Sequence, residues 1–304
     1  MDKLRTLKML IAVADLGTLT AAAEHMGASV ATVVRQIAEL EAELGVRLLH
    51  RTTRSTTPTA EGLQFVQKLR GVLAELQEAE DSLQQGQDSP QGLVNVTAPL
   101  SLGQMHVVPS ALQFLSAHPR MKVRVTLLDR VVNLVEEGFD IAVRVGRLPD
   151  SSLVAQQVGT IRYVVVASPA YLKRAGVPAR PEELLRHNCL RFAGPGASPW
   201  TFAEGRKSFD VDARGQLECN AVPALLAACA DGHGVARVLS YQAEPWLRDG
   251  RLKIVLAAFE TPPEEVSLVY PTALHLSGRV RAVVDWLKAD LATRLQAVAK
   301  ATAA

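Results

Sequence analysis

Cysteine is nearly absent. Cys189, Cys219 and Cys229 are odd in number, far apart and without a CxxC pair, which excludes a disulfide framework or a zinc site built from thiolates alone. They read as buried structural thiols, and 219 with 229 is the nearest pair a redox switch would have. An excess of one charge is also missing: 33 Lys+Arg against 31 Asp+Glu leave +2, so a case for a nucleic-acid partner must rest on local charge. No apolar run approaches the ~20 residues that span a bilayer. The apolar stretch 9–14, between Lys8 and Asp15, is too short for a signal-peptide core. The expectation is a cytoplasmic protein with no membrane partner.

Signatures of catalysis are lacking too. There is no GxSxG elbow and no GK[ST] phosphate loop, and Gly194-Pro195-Gly196 does not stand between a strand and a helix. The seven histidines (25, 50, 106, 118, 187, 233, 275) are scattered, with no HExxH or paired metal spacing. His233 lies between two glycines, a spacing that suits a helix end turning tightly into a strand. The chain is read as not an enzyme, with no cofactor and no metal.

What is present is an ordinary globular composition, 48% hydrophobic and 21% charged over 304 residues, long enough for about two domains. Leu4, Leu7, Leu10, Ile11 and Ala14 give one apolar helical stripe. Asp2 is placed to cap that helix and Gly17 to end it. A short helix is expected at about 19–26, capped by Thr18 or Thr20 and broken by Gly27. A third follows from Ser29 to about Leu44, with Val33, Ile37, Leu40 and Leu44 on its inner side. Then Arg47, His50, Arg51 and Arg54 stand among Thr52, Thr53, Ser55, Thr56 and Thr57 with no acidic residue. Pro58 closes this basic loop.

A long helix is expected over 60–85. Val66 and Leu73 share one heptad position, Leu69, Leu76 and Leu83 the other, while Glu80 interrupts the first series. These five apolar residues are read as a dimerisation seam, the alternative being simple packing on a neighbouring domain. A polar, Gly/Pro-punctuated hinge, 86–92, follows. Beyond it, strands read at 93–98, 122–128, 139–145, 162–168, 216–219, 234–238 and 266–270, with helical stretches such as 112–115 and 131–137 between some of them. That alternation implies open α/β sheets, as one large sheet or two smaller ones sharing a cleft. The Ala-rich tail 297–304 is expected to fray.

Ala23, Gly27, Val33 and Ile37 supply the skeleton of a helix-turn-helix: a small residue for close packing, a glycine for the turn, and two apolar residues that bury the second helix. The opposite face of that helix is left to enter a major groove. It carries Ala31, Thr32, Arg35, Val34 and Gln36, with Ser29 at its start. Arg35 suits the two acceptors of a guanine edge, and Thr32 or the small apolar groups suit a thymine methyl. Arg51, Thr52 and Arg54 are then phosphate or minor-groove contacts, as on a wing.

The run Ala21-Ala22-Ala23, Gly27, Ser29, Val33, Arg35-Gln36-Ile37, Leu40-Glu41, Leu44-Gly45, Leu48-Leu49, Arg51, then Thr59, Glu61 and Gly62, resembles the N-terminal signature of LysR-type transcriptional regulators. Looser agreement follows at Ala98-Pro99, 138–142 leading to Gly146, 168–172, 232–234 and 250–252. The resemblance implies a winged helix-turn-helix over 1–59, a linker helix that dimerises over 60–85, and the hinge. A periplasmic-binding-protein-like effector domain of two α/β subdomains follows over 93–304. Subdomain I would take about 93–161 and 267–296, subdomain II about 162–266. It implies double-stranded promoter DNA as partner, a small-molecule effector, self-association as a dimer and then a tetramer, and RNA polymerase for an activator. Many relatives carry Ser at the positions of Ala31 and Val34, so base preference is expected to lean on Arg35 and thymine methyls.

In open α/β folds small ligands sit beyond the carboxyl ends of strands, at helix N-termini. That rule selects Leu100 and Ser101, then Asp129, Arg130 and Val131, then Arg144 to Gly146, then Asn220 and Ala221. The resemblance places the effector cleft at the same positions. With Arg144 and Arg237, two free helix starts would favour an anion such as a small carboxylate. The alternative is that Arg144 merely pairs with Asp140 or Asp129. At the level of the whole chain the alternative is a metabolite-binding protein or enzyme with a helical assembly domain, for which the basic loop would have no use.

Overall fold

In a computed structural model, residues 2–51, 56–84, 90–146, 153–194, 199–271 and 276–303 are described. The chain forms two compact units, one of 1–88 with 133–138 and one of 89–132 with 139–304. In the first, α1 (Lys3–Leu16), α2 (Leu19–His25) and α3 (Val30–Leu44) precede the strands β1 (Leu49–Arg51) and β2 (Thr56–Pro58) and the long helix α4 (Ala60–Gln84). Local chemistry sets these boundaries. The side chains of Asp2, Thr18 and Ser29 each accept from a backbone amide of the first turn, while Gly17 and Gly45 end α1 and α3 in the left-handed conformation. Met9, Leu10, Val13, Ala22, Ala23, Val33, Ile37 and Leu40 close one core.

The antiparallel wing, Leu49 opposite Pro58 and Arg51 opposite Thr56, is clamped at its base. Glu41 accepts from the amides of Leu48 and Leu49 at 2.8 and 3.1 Å. Thr59 donates to the Arg47 carbonyl and caps α4 through the Gly62 amide. A Cβ on Gly62 would lie 1.9 Å from the Leu48 carbonyl oxygen, so only glycine lets α4 start this close to the wing.

The second unit holds two five-stranded sheets of matching design. The first contains β3 (Gly92–Ala98), β4 (Met121–Leu127), β5 (Ile141–Val145), β6 (Val154–Ile161) and, from far along the chain, β14 (Glu264–Tyr270), in the order β4-β3-β5-β14-β6. The second contains β7 (Tyr163–Ala167), β8 (Cys189–Phe192), β11 (Glu218–Cys219), β12 (Val235–Leu239) and β13 (Lys253–Val255), in the order β11-β8-β12-β7-β13. Each has three parallel strands followed by an antiparallel pair. A separate hairpin, β9 (Trp200–Glu204) with β10 (Lys207–Val211), adds its aromatic side chains to the second subdomain's core. The chain crosses between sheets twice: once at Arg162, between β6 and β7, and once between β13 and β14.

Helices cover the sheets. After β3 the chain runs through α5 (Leu100–Leu102), a π turn (Gly103–Val107) and α6 (Val108–Ala117). Gly103 packs closely there: a Cβ would displace the tip of the Leu127 side chain, which lies 2.1 Å from its position. The second subdomain has α7 (Pro169–Ala175), α8 (Val222–Ala230) and α9 (Ser240–Arg248), and α10 (Gly278–Ala301) returns to the first. Val280, Val283, Val284, Leu287, Leu291, Leu295 and Val298 of α10 fill the first subdomain's core.

Two expectations are corrected. The tail does not fray at 297: α10 continues to Ala301 and Thr302 is 1% exposed, because Val298 is held in the core. Residues 131–137 form no helix; a turn closed by the Glu137 amide on the Asn133 carbonyl replaces it. The strands β6, β8, β9, β10 and β13 and the helix α10 were not foreseen.

Candidate nucleic-acid interface and effector cleft

On α3 the buried residues Val33, Ile37 and Leu40 leave Ala31 and Arg35 on the exposed side, with Thr32, Val34 and Gln36 half-buried at its margins. The Ser29 hydroxyl accepts from the Thr32 amide at 3.1 Å and lies 2.8 Å from the Thr32 hydroxyl. These two hydroxyls are therefore engaged with each other. Gln36 is also committed: its side-chain carbonyl lies 3.3 Å from the buried Thr6 hydroxyl of α1. Arg35, its side chain 71% exposed, has Glu39 one turn on at 3.9 Å. Glu39 is a neighbour of Arg35 that the sequence reading missed, although its i,i+4 spacing signals it. Arg47 and His50 are exposed. Arg51 ends β1 with its side chain outside the described residues, and Thr52 and Arg54 lie outside them entirely.

The seam read on α4 divides. Val66 and Leu69, 2% and 7% exposed, belong to the core of their own unit. That corrects their assignment to a dimer: a side chain already surrounded within one chain has no face to offer another. Leu73 is half-buried, and Leu76 is 39% exposed beside Val72, one turn earlier and 59% exposed. Leu83 lies on α4 with its side chain outside the described residues.

In the second unit the selected positions lie at the carboxyl ends of the strands, but not all are open. The Asp129 carboxylate accepts from the Leu100 amide at 2.8 Å, so a protein carboxylate already sits at the start of α5. Leu100 is exposed and Ser101 half-buried. Arg130 and Val131 are exposed, Val131 by 89%. Asp140 accepts from the Asn95 amide, and Arg144 is half-buried on β5. Gly146 donates its amide to the Glu265 carbonyl. Asn220 and Ala221 are exposed before α8, whose start has no side-chain cap.

Arg237 is held on two sides. Its guanidinium stacks on the Tyr163 ring at 4.0 Å and makes one long bond, 3.5 Å, to the Pro199 carbonyl. Burial lowers its affinity for the proton, with Tyr163, Glu264 and Asp210 opposing.

A cavity of about 190 Å³ joins the two subdomains. Ser101, Gln104 and Met105 line it from the first; Val222, Pro223, Leu226, Gln242, Pro245 and Trp246 line it from the second. The structure thus brings Ser101 and the start of α8 to one space whose lining carries no formal charge. The buried thiols of Cys189 and Cys229 are pushed up to about 12 by burial, which keeps both protonated and unreactive. Among the described residues no His/Cys/Asp/Glu group is arranged to hold a metal, and no helix is long and apolar enough to cross a membrane.

Residues 4–63 match the bacterial regulatory helix-turn-helix proteins of the lysR family, and residues 87–292 match the LysR substrate binding domain. The chain belongs to the LysR family of transcriptional regulators. It is a DNA-binding regulator with an effector-binding domain, not an enzyme. A transcriptional repressor of Pseudomonas aeruginosa is 32% identical, covering 94% of this chain and 92% of the relative. The regulator PtxR of the same species is 33% identical over 92% of this chain and 90% of its own. Among solved structures, CrgA of Neisseria meningitidis aligns with a TM-score of 0.61 at 28% identity, covering 94% of this chain and 98% of that one. The full-length Vibrio cholerae virulence activator AphB aligns with a TM-score of 0.61 at 26% identity, covering 93% and 97%. Members of a single family thus include a repressor and an activator. The winged helix-turn-helix and the two-subdomain α/β receptor are the fold these proteins share.

Proposed function

We propose that this LysR-type regulator binds double-stranded promoter DNA as a dimer or a dimer of dimers in the cytoplasm, with α3 in the major groove. Arg35 reads a guanine edge, Ala31, Val34 and the Thr32 methyl meet thymine methyls, and Ser29 holds the start of the helix. Arg51, Thr52 and Arg54 of the wing hold phosphates or the minor groove. The observation that carries this reading is the division of α3 into a face wholly buried at Val33, Ile37 and Leu40 and a face open at Ala31 and Arg35. Leu73, Leu76 and Leu83, joined by Val72, form what remains of the association seam. RNA polymerase is a further partner wherever the protein activates.

The effector is a small carboxylate between the subdomains, contacted by Ser101, Arg144, Gly146, Asn220, Ala221 and Arg237, with Leu100, Asp129, Arg130 and Val131 at the rim. Arg237 supports the charge: a half-buried guanidinium with one long hydrogen bond gains from a carboxylate partner. Ligand binding changes the subdomain angle and so the spacing of the reading heads, to the extent that affinity differs between the two arrangements.

Two measurements test this. In mobility-shift titrations, Arg35→Ala is expected to cost about 1–3 kcal/mol on the cognate site and much less on random duplex. In a thermal-shift screen of organic acids, a ligand at about 100 times its Kd adds about 2.7 kcal/mol. Stabilisation that persists unchanged in Arg237→Gln and Ser101→Ala overturns the placement.

A further inference from the structure

Arg162 is the single residue between β6 of the first subdomain and β7 of the second. Its backbone is fixed to the start of α9: the Ser240 amide donates to its carbonyl at 2.7 Å, and its own amide donates to the Ser240 hydroxyl at 3.2 Å. Its guanidinium reaches in two other directions. Nη1 donates to Glu260 Oε2 at 2.5 Å, and Nη2 donates to the carbonyl oxygen of Thr302, with the Thr302 hydroxyl at 3.3 Å. Glu260 stands on the second crossing, between β13 and β14. Thr302 is the cap of α10, which belongs to the first subdomain.

One residue therefore joins both crossings, the second subdomain's α9 through its backbone and the cap of α10 through its side chain. We propose that Arg162 is a latch at the hinge, through which the last turn of α10 restrains the opening and closing of the two subdomains. Two crossing strands alone bend at their shared pair, Ile161 opposite Glu264. A fork planted in Glu260 on one side and Thr302 on the other turns that bend into a three-point joint, because a rotation that carries Glu260 with the second subdomain pulls against a carbonyl anchored in the first. The planar guanidinium suits this role, since its donors are fixed in direction and do not follow an acceptor that swings away.

The Glu260 carboxylate adds a second feature. Oε2 is held by Arg162, but Oε1 is buried with no partner among the described residues, and burial raises the affinity of this carboxyl for the proton. A buried acceptor left unpaired is costly, so the arrangement seen is satisfied on one oxygen and frustrated on the other. A second hinge angle that gives Oε1 a donor competes with this one, as a two-state element requires.

The latch rests on the reading that effector binding changes the subdomain angle, but its test needs no effector, so it can fail while that reading stands. Amide hydrogen exchange is measured on the full chain, on a chain ending at Ala301, and on Arg162→Lys and Glu260→Gln. Loss of the latch is expected to speed exchange about tenfold in 160–164 and at 240, 260, 261, 264 and 265 in each variant. The sheet centres β3 and β12 keep their rates. Acceleration confined to 298–301 in the shortened chain, or spread evenly over the unit, overturns the proposal: the first shows an isolated frayed end, the second general destabilisation. Should the shortened chain fail to fold, Glu260→Gln, which keeps shape and removes charge, decides alone by the same pattern.

Discussion

Asp129 caps the backbone amide of Leu100 across 29 positions of sequence, carboxylate oxygen to nitrogen at 2.8 Å. The anion-favouring start of α5 is thereby neutralised from within, and of the two helix starts expected to draw an effector only that of α8 stays uncapped. Asp129→Ala should cost about 1 kcal/mol of unit stability, as for a lost cap. It should also create a sensitivity to sulfate or phosphate that the natural chain lacks. Melting curves with and without these anions test it; equal responses of the two proteins would refute the neutralisation.

Gly62→Ala places a methyl group against the Leu48 carbonyl. The expected outcome is a loss of about 1–3 kcal/mol, the usual cost of overpacking, with a displaced wing. DNA affinity should therefore fall by more than the lost folded fraction accounts for. Calorimetry of the protein alone beside a mobility-shift titration separates the two effects.

The two halves of the α4 stripe should behave differently. Leu69→Ala, in the unit's own core, should lower melting by about 2–5 kcal/mol while leaving folded subunits associated. Val72→Glu with Leu76→Glu, on the exposed part, should leave melting of a single unit nearly intact and shift sedimentation toward monomer. The same sedimentation shift from both would contradict this division.

If Arg35 reads DNA as proposed, Glu39, 3.9 Å away, competes for it. Glu39→Gln should tighten binding to any duplex, more at low salt than at high. An unchanged affinity at all salt concentrations would mean that Arg35 is not limited by its neighbour.

His106, on the π turn, meets the Tyr241 ring edge-on at 5.6 Å and has Nε2 buried without a partner among the described residues. Burial first, then Arg294, lowers its pKa from 6.5 to about 4, with Asp290 opposing. The unfolded chain thus takes up this proton before the folded one does. The resulting stability is present above about pH 6.5 and is lost as pH falls toward 4, by roughly 3 kcal/mol at most. His106→Phe should flatten that slope in acid melts, and an undiminished slope would assign it elsewhere.

The DNA-reading half was legible because its signals are local. Asp2, Thr18 and Ser29 sit where caps belong, and Gly17, Gly27 and Gly45 all adopt positive φ. The buried trio Val33, Ile37 and Leu40 has the spacing of one helix face. The receptor half was legible only in outline. Arg162 finds Thr302 at a separation of 140 positions, and no periodicity announces such a pair. Short parallel strands such as β8 look like any brief apolar run. The stripe on α10 has helical spacing from Val280 to Val298, but spacing does not say that it returns to cover the first subdomain's sheet. On α4 the heptad spacing marks the apolar positions, but spacing cannot tell whether a leucine is covered by its own unit, as Leu69 is, or left exposed, as Leu76 is.

The π turn at Gly103–Val107 has a bearing on chimaeras. A π turn spends an extra residue within a helix. Winding the same residues as a regular α-helix would instead rotate everything after them by about 100°. The Ser110 carbonyl that now receives the Trp286 indole would then point elsewhere, even though every hydrophobic residue downstream was kept. Receptor segments exchanged with relatives must therefore match in residue count between β3 and α6, whatever their similarity in composition.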